Sequence, residues 1–487
     1  MKNEEISGSG DLNLNLPGNP RYQPRQMQAI FGYDYLYKTY IEVEMATLET
    51  LYEAGVIPKE DYDSIDADVN HCLSNITTTM VDKWERAVTK HDIRALVQIM
   101  KQIFGPKAEK WLHIPLTSYD VIDTGRSISY YRAFQMVIEP CVYKLLSEIK
   151  EKIIANADIA QVGRTHGQHA IPITVGFWLA TIANRIIFNY LEMSRLANEL
   201  AGKISGAVGA YNAQSALGLN DDFNFERKVL AKLGLKPAVI STQILPPEPL
   251  AYFLFSASMM SATLGQFGRD GRHLMRTEIS EIAERFSSKQ VGSSTMSHKR
   301  NPINFENLEG MWLRTKNEFG KVMDTLITDH QRDLVGSCIA RDFPIILINL
   351  QHQLNTLLRS DGHGGTFVSN IVVDVQKCKK NLEMSQDFFI AEPLYIALQI
   401  AGYPGDAHDF VSHTLMDYAK KHNCNLYDAL LAIASSKDGR DLKKVVDKIP
   451  EQMKEIFRNP ATYVGSATKK AMDIVENIDI VLGDLGC

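Results

Sequence analysis

The sequence predicts an all-α protein with unusually long central helices, on three observations. Proline is sparse, 18 in 487 residues, and an interior proline would remove a helix hydrogen bond and clash with the preceding turn. Long windows hold neither glycine nor proline: Cys141–Val162, Phe177–Ala201, Thr366–Glu392 and Asp406–Asp438. Within Phe177–Ala201, Ile182, Ile186, Tyr190, Met193, Ala197 and Leu200 recur at steps of four and three, the stripe one helix face presents. No window sustains period-two alternation, so strands are expected to be minor at most.

Taken in order, residues 1–20 read as a loose polar arm with no apolar leader segment. Helices follow, with Thr89–Asp92 (TKHD) on one of them, until WLHIPLTS at Trp111–Ser118, where Pro115 stops the helical pattern. Leu116–Thr124 (LTSYDVIDT) then offers Thr and Ser as helix caps. Phe177–Ala201 would make a rod of ~37 Å at ~1.5 Å per residue. The most apolar stretches, Val175–Phe188 and Ala251–Phe267, carry Ser, Thr, Asn or Arg. Neither sustains the ~20 apolar residues of a membrane span, so they read as buried helices of a soluble protein. SDGHGG at Ser360–Gly365 reads as a linker before a helical C-terminal third. The expected division is therefore 1–115, 116–362 and 363–487.

Lys plus Arg number 52 against 58 Asp plus Glu, a net charge of −6. That balance offers no basic field for a nucleic-acid polymer, though a small anionic substrate needs only a local cationic cluster. Cys72, Cys141, Cys338, Cys378, Cys424 and Cys487 are scattered, with no CxxC. A reducing, cytoplasmic setting without structural zinc is the expectation.

Candidate chemistry sits in polar, glycine-bearing islands. Gly292–Gly310 (GSSTMSHKRNPINFENLEG) joins hydroxyls on a mobile backbone to His298, Lys299 and Arg300, a combination suited to carboxylate or phosphate. Gly163–Gly176 (GRTHGQHAIPITVG) carries His166 and His169 just ahead of a long helix, with no metal-ligand spacing. In Gln331–Arg341 (QRDLVGSCIAR), Ser337 and Arg341 share a face if the stretch is helical. Arg332 falls off that face unless Gly336 bends the chain. Converging arginines and a hydroxyl would suit a phosphomonoester. Taken singly, each island also reads as a solvated loop, a cap or an ion-pairing face.

Their order and wording resemble the fumarase/aspartase superfamily, of which GSSTMSHKRNP looks like the signature loop, and within it the adenylosuccinate lyase family. The resemblance runs through Arg21-Tyr22, Thr89–Asp92, Leu116–Asp120, Gly163–Gln168, Gly202–Ala213, Ser241–Ile244, Asn301–Gly310, Gln331–Leu334, Ala391–Pro393 and Pro460–Ala467. It implies a three-domain fold whose long central helical bundle assembles into a homotetrameric core, with sites shared between subunits. The implied activity is elimination of fumarate from adenylosuccinate to give AMP, and from the succinylated aminoimidazole carboxamide ribotide, in purine biosynthesis.

By position, the resemblance makes His166 the general acid and Ser293 the general base. It puts Lys299 and Asn301 on the succinyl carboxylates, and Arg332, Ser337, Arg341, Arg21 and Tyr22 on the nucleotide phosphate. Lys90, His91, Asp92, Thr117, Ser118, Gln243, Ser294 and Asn307 are implied substrate contacts. The chemistry gives these residue types a reason. Removing a proton α to a carboxylate builds a dianion, so cations and N–H donors must face it. A serine serves as base only where positive charge stabilises its alkoxide, and histidine supplies an acid near neutral pKa. Such an elimination calls for no metal and no organic cofactor. The chain departs from the family wording at Ser297, at Phe177-Trp178 and in the proline-rich Ile244–Ala251 run. Argininosuccinate lyase, a carboxymuconate cycloisomerase and a catalytically silent relative are the alternatives. The phosphate clamp argues against the first two, and His166 with Ser293 against the third.

Overall fold

The computed structural model describes residues 12–285, 300–360 and 364–483, save 66, 68, 221 and 222. Helices make up most of these residues, and strands form only three two-stranded pairs. The chain sorts into two compact units, each gathered from three stretches. One comprises Met1–Lys144, Phe188–Gly268 and Glu306–Leu358, the other Leu145–Ile187, Arg269–Phe305 and Arg359–Cys487. No helix among the described residues is long and apolar enough to cross a membrane.

The first unit grows around helices Lys38–Glu53, Asp92–Ala108 and α1 (Ser118–Ala133). Leu48, Leu51, Leu96, Val97, Met100 and Val121 fill the space between them, each 2% exposed or less. Lys38–Glu53 and α1 approach closely because Gly125 has no side chain: a Cβ there would lie 2.4 Å from the Tyr40 ring. The forked guanidinium of Arg132 grips both Glu42 oxygens across this contact, at 2.7 and 2.6 Å. As the sequence suggests, WLHIPLTS interrupts the helices and α1 starts at Ser118. Thr117 and Asp120 form a reciprocal capping box at that start.

The long rods are α2 (Val175–Ala197), α3 (Glu248–Leu274) and α4 (Ile303–Met323). The predicted stripe of α2 is buried, with Ile182, Ile186, Tyr190, Met193 and Ala197 at 6% exposure or below. A Cβ on Gly265 of α3 would sit 2.7 Å from the Trp312 Cβ of α4, so that glycine sets how near these two come. Gln353 then stitches three helices together inside the first unit. Its Oε1 accepts from Ser261 Oγ at 2.6 Å and its Nε2 donates to the Leu308 carbonyl at 2.8 Å.

The second unit differs from the helical expectation where windows free of glycine and proline break up. Cys141–Val162 is helical only to Ala155. Asn156 donates its side-chain amide to the Lys152 carbonyl at 2.7 Å, and the chain then enters a hairpin of β1 (Ala160–Thr165) and β2 (Gln168–Thr174). Thr366–Glu392 holds a short strand and several short helices, one capped by Asp374, which accepts from the Lys377 N–H at 2.9 Å. Within Asp406–Asp438, Asn423 turns left-handed at φ 51° to end one helix. Asn425 caps the next, accepting from the Asp428 N–H at 2.8 Å. Asn and Asp punctuate here where Gly and Pro do not. Leu394, Leu398, Leu415, Leu426, Leu430 and Phe457 close the core of these C-terminal helices. In the SDGHGG linker, 361–363 lie outside the described residues.

Candidate active site

In the first unit a cleft of about 960 Å³ brings together predicted contacts from four distant parts of the sequence, with residues between 13 and 40 completing its lining. Lys90, His91 and Asp92 come from one, and Thr117 and Ser118 from a second. Gln243 supplies the third, and Arg332, Ser337 and Arg341 the fourth. TKHD is not on a helix as expected but at a junction. A π-helical turn, Glu85–Thr89, ends in Lys90 at φ 53°, and His91 caps the helix that begins at Asp92. The His91 Nδ1 accepts from the Arg94 N–H at 3.4 Å, and its Nε2 lies 3.5 Å from Ser118 Oγ. π-turns occur often at functional sites, where they re-aim a side chain.

The arginines are held with donors to spare. Arg332 donates to Gln243 Oε1 at 2.9 Å, and its guanidinium carbon sits over the Tyr119 ring, 3.4 Å from the centroid. It precedes the helix Val335–Ile339, so no bend at Gly336 is needed to bring it beside Ser337 and Arg341. Arg341 sits 3.8 Å from Asp92, an ion pair too long for a hydrogen bond. Burial pushes the Glu85 carboxyl up, reinforced by the charges of Asp92 and Asp82.

A buried pair braces the chain just behind the Thr117–Tyr119 wall of the cleft. Lys203 and Asp120, both fully buried, meet through Nζ and Oδ1. Asp120 also accepts from the backbone N–H groups of Thr117, Ser205 and Gly206 at 2.8, 3.0 and 3.2 Å. The carboxylate thus ties the start of α1, with Thr117 and Ser118, to the Gly202–Gly209 loop.

His166 belongs to the second unit and stands exposed at the tip of the β1–β2 hairpin. Thr165 pairs with Gln168, leaving a two-residue turn in which His166 and Gly167 have φ of 54° and 76°. Two positive φ values mark a type I′ turn, usually given to Asn-Gly. The base of the hairpin is anchored on Glu281, whose side chain is fully buried. Arg164 reaches both its oxygens, at 3.0 and 2.7 Å, and Gln161 and Asn381 each donate at 2.8 Å. His169, on β2, contacts Ser385 Oγ through Nδ1 at 2.8 Å. Burial and the Arg164 charge lower its pKa.

Ser293, Ser294 and Lys299 lie outside the described residues, as do His298 and Ser297. On the near side of that segment Glu284 is 1% exposed. It accepts from the N–H groups of Asn304 and Phe305, at 2.9 and 3.1 Å, and so caps α4. Burial pushes its pKa up to about 7 against the pull of those donors. Asn301 is half-buried, just ahead of α4.

Among the described residues, four expected substrate contacts do not line the cleft: Arg21, Tyr22, Asn301 and Asn307. Arg21 is exposed, and Tyr22 packs edge-on to His352 at 5.1 Å with the Arg314 guanidinium 4.6 Å from its ring centre. Asn307 accepts from Thr356 Oγ1 at 3.2 Å. Conversely, the cleft includes a residue the sequence reading passed over. Arg126 lines it two turns along α1 from Ser118, with Ile122 between them. The i, i+4, i+8 spacing from a candidate contact was the signal. Among the described residues, no cluster of three or more His, Cys, Asp or Glu could hold a metal ion.

Comparison with known proteins bears on this arrangement. The model of a family described as "Lyase" matches residues 20–315. The adenylosuccinate lyase of Archaeoglobus fulgidus is 31% identical over 472 residues, 96% of this chain and 99% of that one. That of Pyrococcus abyssi is 32% identical over 95% of this chain and 96% of its own length. Among solved structures, a 3-carboxy-cis,cis-muconate lactonizing enzyme from Pseudomonas putida superposes with a TM-score of 0.77 at 23% identity. That match covers 94% of this chain and 98% of the other. A fumarate lyase from Mesorhizobium sp. BNC1 gives 0.76 at 19%, over 93% and 98%. These two share the fold; the family follows from the sequence matches. The chain belongs to the lyase family, on its adenylosuccinate lyase branch.

Proposed function

We propose that this lyase eliminates fumarate from adenylosuccinate, leaving AMP, and acts likewise on the succinylated aminoimidazole carboxamide ribotide. Ser293, as alkoxide, removes the Cβ proton, and the electron pair moves into the adjacent carboxylate as an aci-dianion. Collapse of that dianion forms the double bond of fumarate and breaks C–N, and the His166 imidazolium protonates the departing nitrogen. Lys299 and Asn301 face the dianion, while Arg332, Ser337 and Arg341 hold the phosphate. Lys90, His91, Asp92, Thr117, Ser118 and Gln243 contact the rest of the nucleotide, with Arg21, Tyr22, Ser294 and Asn307 completing the set. The observation that supports this reading is the single cleft shared by the two-arginine clamp and the TKHD, Thr117-Ser118 and Gln243 positions. An absorbance assay with adenylosuccinate, argininosuccinate and carboxymuconate side by side tests it. Turnover of either of the latter two in preference to the first would overturn it.

The clamp yields its own prediction. Arg341→Ala is expected to raise KM for adenylosuccinate roughly 10–150-fold, the loss of one charge-assisted hydrogen-bonded contact of ~1.5–3 kcal/mol. Equal turnover of the substrate with and without its phosphate would refute the clamp.

We also propose a homotetramer with active sites shared between subunits, working in the cytoplasm. Its support is an apolar stripe on α3, where Tyr252, Phe255 and Met259 are 59%, 48% and 42% exposed at i, i+3, i+7. On α2, Phe188 and Leu191 are 72% and 53% exposed. Long helices with such faces bury them by bundling with copies of themselves. Mixing inactive Ser293→Ala and His166→Ala proteins, dissociating them mildly and reassociating them is expected to restore part of the activity. A fully active monomer by light scattering would rule the assembly out.

A further inference from the structure

We propose that Arg126 is a further substrate-binding residue, a third guanidinium that donates to the phosphomonoester of the nucleotide. The proposal deepens the reading of the cleft given above and rests on it. Arg126 stands on the wall between the cleft and a second cavity of about 430 Å³, and it lines both together with Arg332 and Ser337. The second cavity is walled by Pro246, Pro247 and Pro249 of the proline-rich run, which the elimination chemistry leaves without a role.

The guanidinium is placed where an arginine needs a partner and does not have a full one. Its side chain is 24% exposed, and Tyr40, Tyr119 and Tyr130 beside the cleft are all below 9%. Among the described residues its ion-pair partner is Asp123, at 3.8 Å, beyond hydrogen-bond reach. Asp123 is itself engaged, accepting from the Leu245 N–H at 2.9 Å. A half-buried guanidinium with its fork unfilled is costly unless something satisfies it. Arg341 shows the same pattern, 3.8 Å from Asp92. Both arginines act on the buried Tyr40 hydroxyl, lowering a pKa that burial raises, so their charges bear on one region of the cleft. Two guanidiniums with long carboxylate partners, a third on Gln243 and one hydroxyl suit a group with several anionic oxygens.

Binding of AMP and of adenosine to wild type and Arg126→Gln, by calorimetry, tests the assignment. The variant is expected to lose roughly 10–150-fold in AMP affinity and to bind adenosine as wild type does. For adenylosuccinate the same change should appear in KM and leave kcat nearly unchanged. Unchanged AMP affinity, or a parallel loss for AMP and adenosine, would overturn the proposal. If the variant does not fold, wild-type enzyme decides the matter through dicarbonyl modification of Arg126 followed by mass spectrometry. AMP is expected to protect Arg126 and adenosine not to; equal protection would overturn it. A wild-type enzyme that binds AMP but does not turn over adenylosuccinate would sink the proposed reaction, while the AMP and adenosine comparison would still decide Arg126.

Discussion

Replacing His166 by alanine is expected to lower kcat by ~10²-fold or more while the melting temperature holds. The two halves of that expectation have separate causes. Protonating the leaving nitrogen as C–N breaks is the task assigned to this imidazole, and a missing general acid costs ~10²–10⁴-fold. Stability should not suffer, because the ring is exposed at a hairpin tip and fills no core. Alanine keeps the Cβ that a left-handed φ of 54° disfavours by ~1–2 kcal/mol, whereas glycine removes it. His166→Gly should therefore lose the same activity and melt no lower than wild type. Retention of more than about a tenth of wild-type kcat by either variant would remove His166 from the role of acid.

The largest effect on stability is expected from Lys203→Met. Both members of the Lys203–Asp120 pair are fully buried, so the substitution strands a buried carboxylate without its counter-charge. Removing one partner of such a pair costs ~3–5 kcal/mol. The three backbone donors on Asp120 keep the cost toward the lower end. Because the same carboxylate holds Thr117 at the edge of the cleft, KM should rise along with the loss of stability. Adding Asp120→Asn to the variant removes the stranded charge and should recover part of the midpoint. A Lys203→Met unfolding free energy within ~1 kcal/mol of wild type would show that the pair is not a buried one in solution.

Much of this architecture was legible in the sequence, for reasons that particular residues make plain. The α2 stripe could be read because helical period and burial coincide over about four turns, from Ile182 to Ala197. The start of α1 could be read because Thr117 and Ser118 follow a proline that the helix cannot contain. The hairpin could not. Glycines around His166 signal a break, but β1 is anchored through Gln161 and Arg164 on Glu281, more than a hundred residues away. Nor could the setting of TKHD, which depends on a π-turn no local pattern announces. Arg332, Ser337 and Arg341 were legible as a set through the family resemblance, whereas Arg126 needed the cleft itself to connect it with Ser118.

The interleaving of the two units has a consequence for how the chain must be made. The first unit opens at residue 1 and its last stretch ends at Leu358. Gln26 and Asn355, partners within it, are 329 positions apart. A ribosome adding ~5–20 residues per second leaves Gln26 waiting ~15–65 s for Asn355. Through that interval the early helices are out of the exit tunnel without the helix Pro344–Leu358 that carries Asn355. The nascent chain should thus engage chaperones until well past its midpoint, and a message cut anywhere before residue 358 should yield no folded fragment of the first unit.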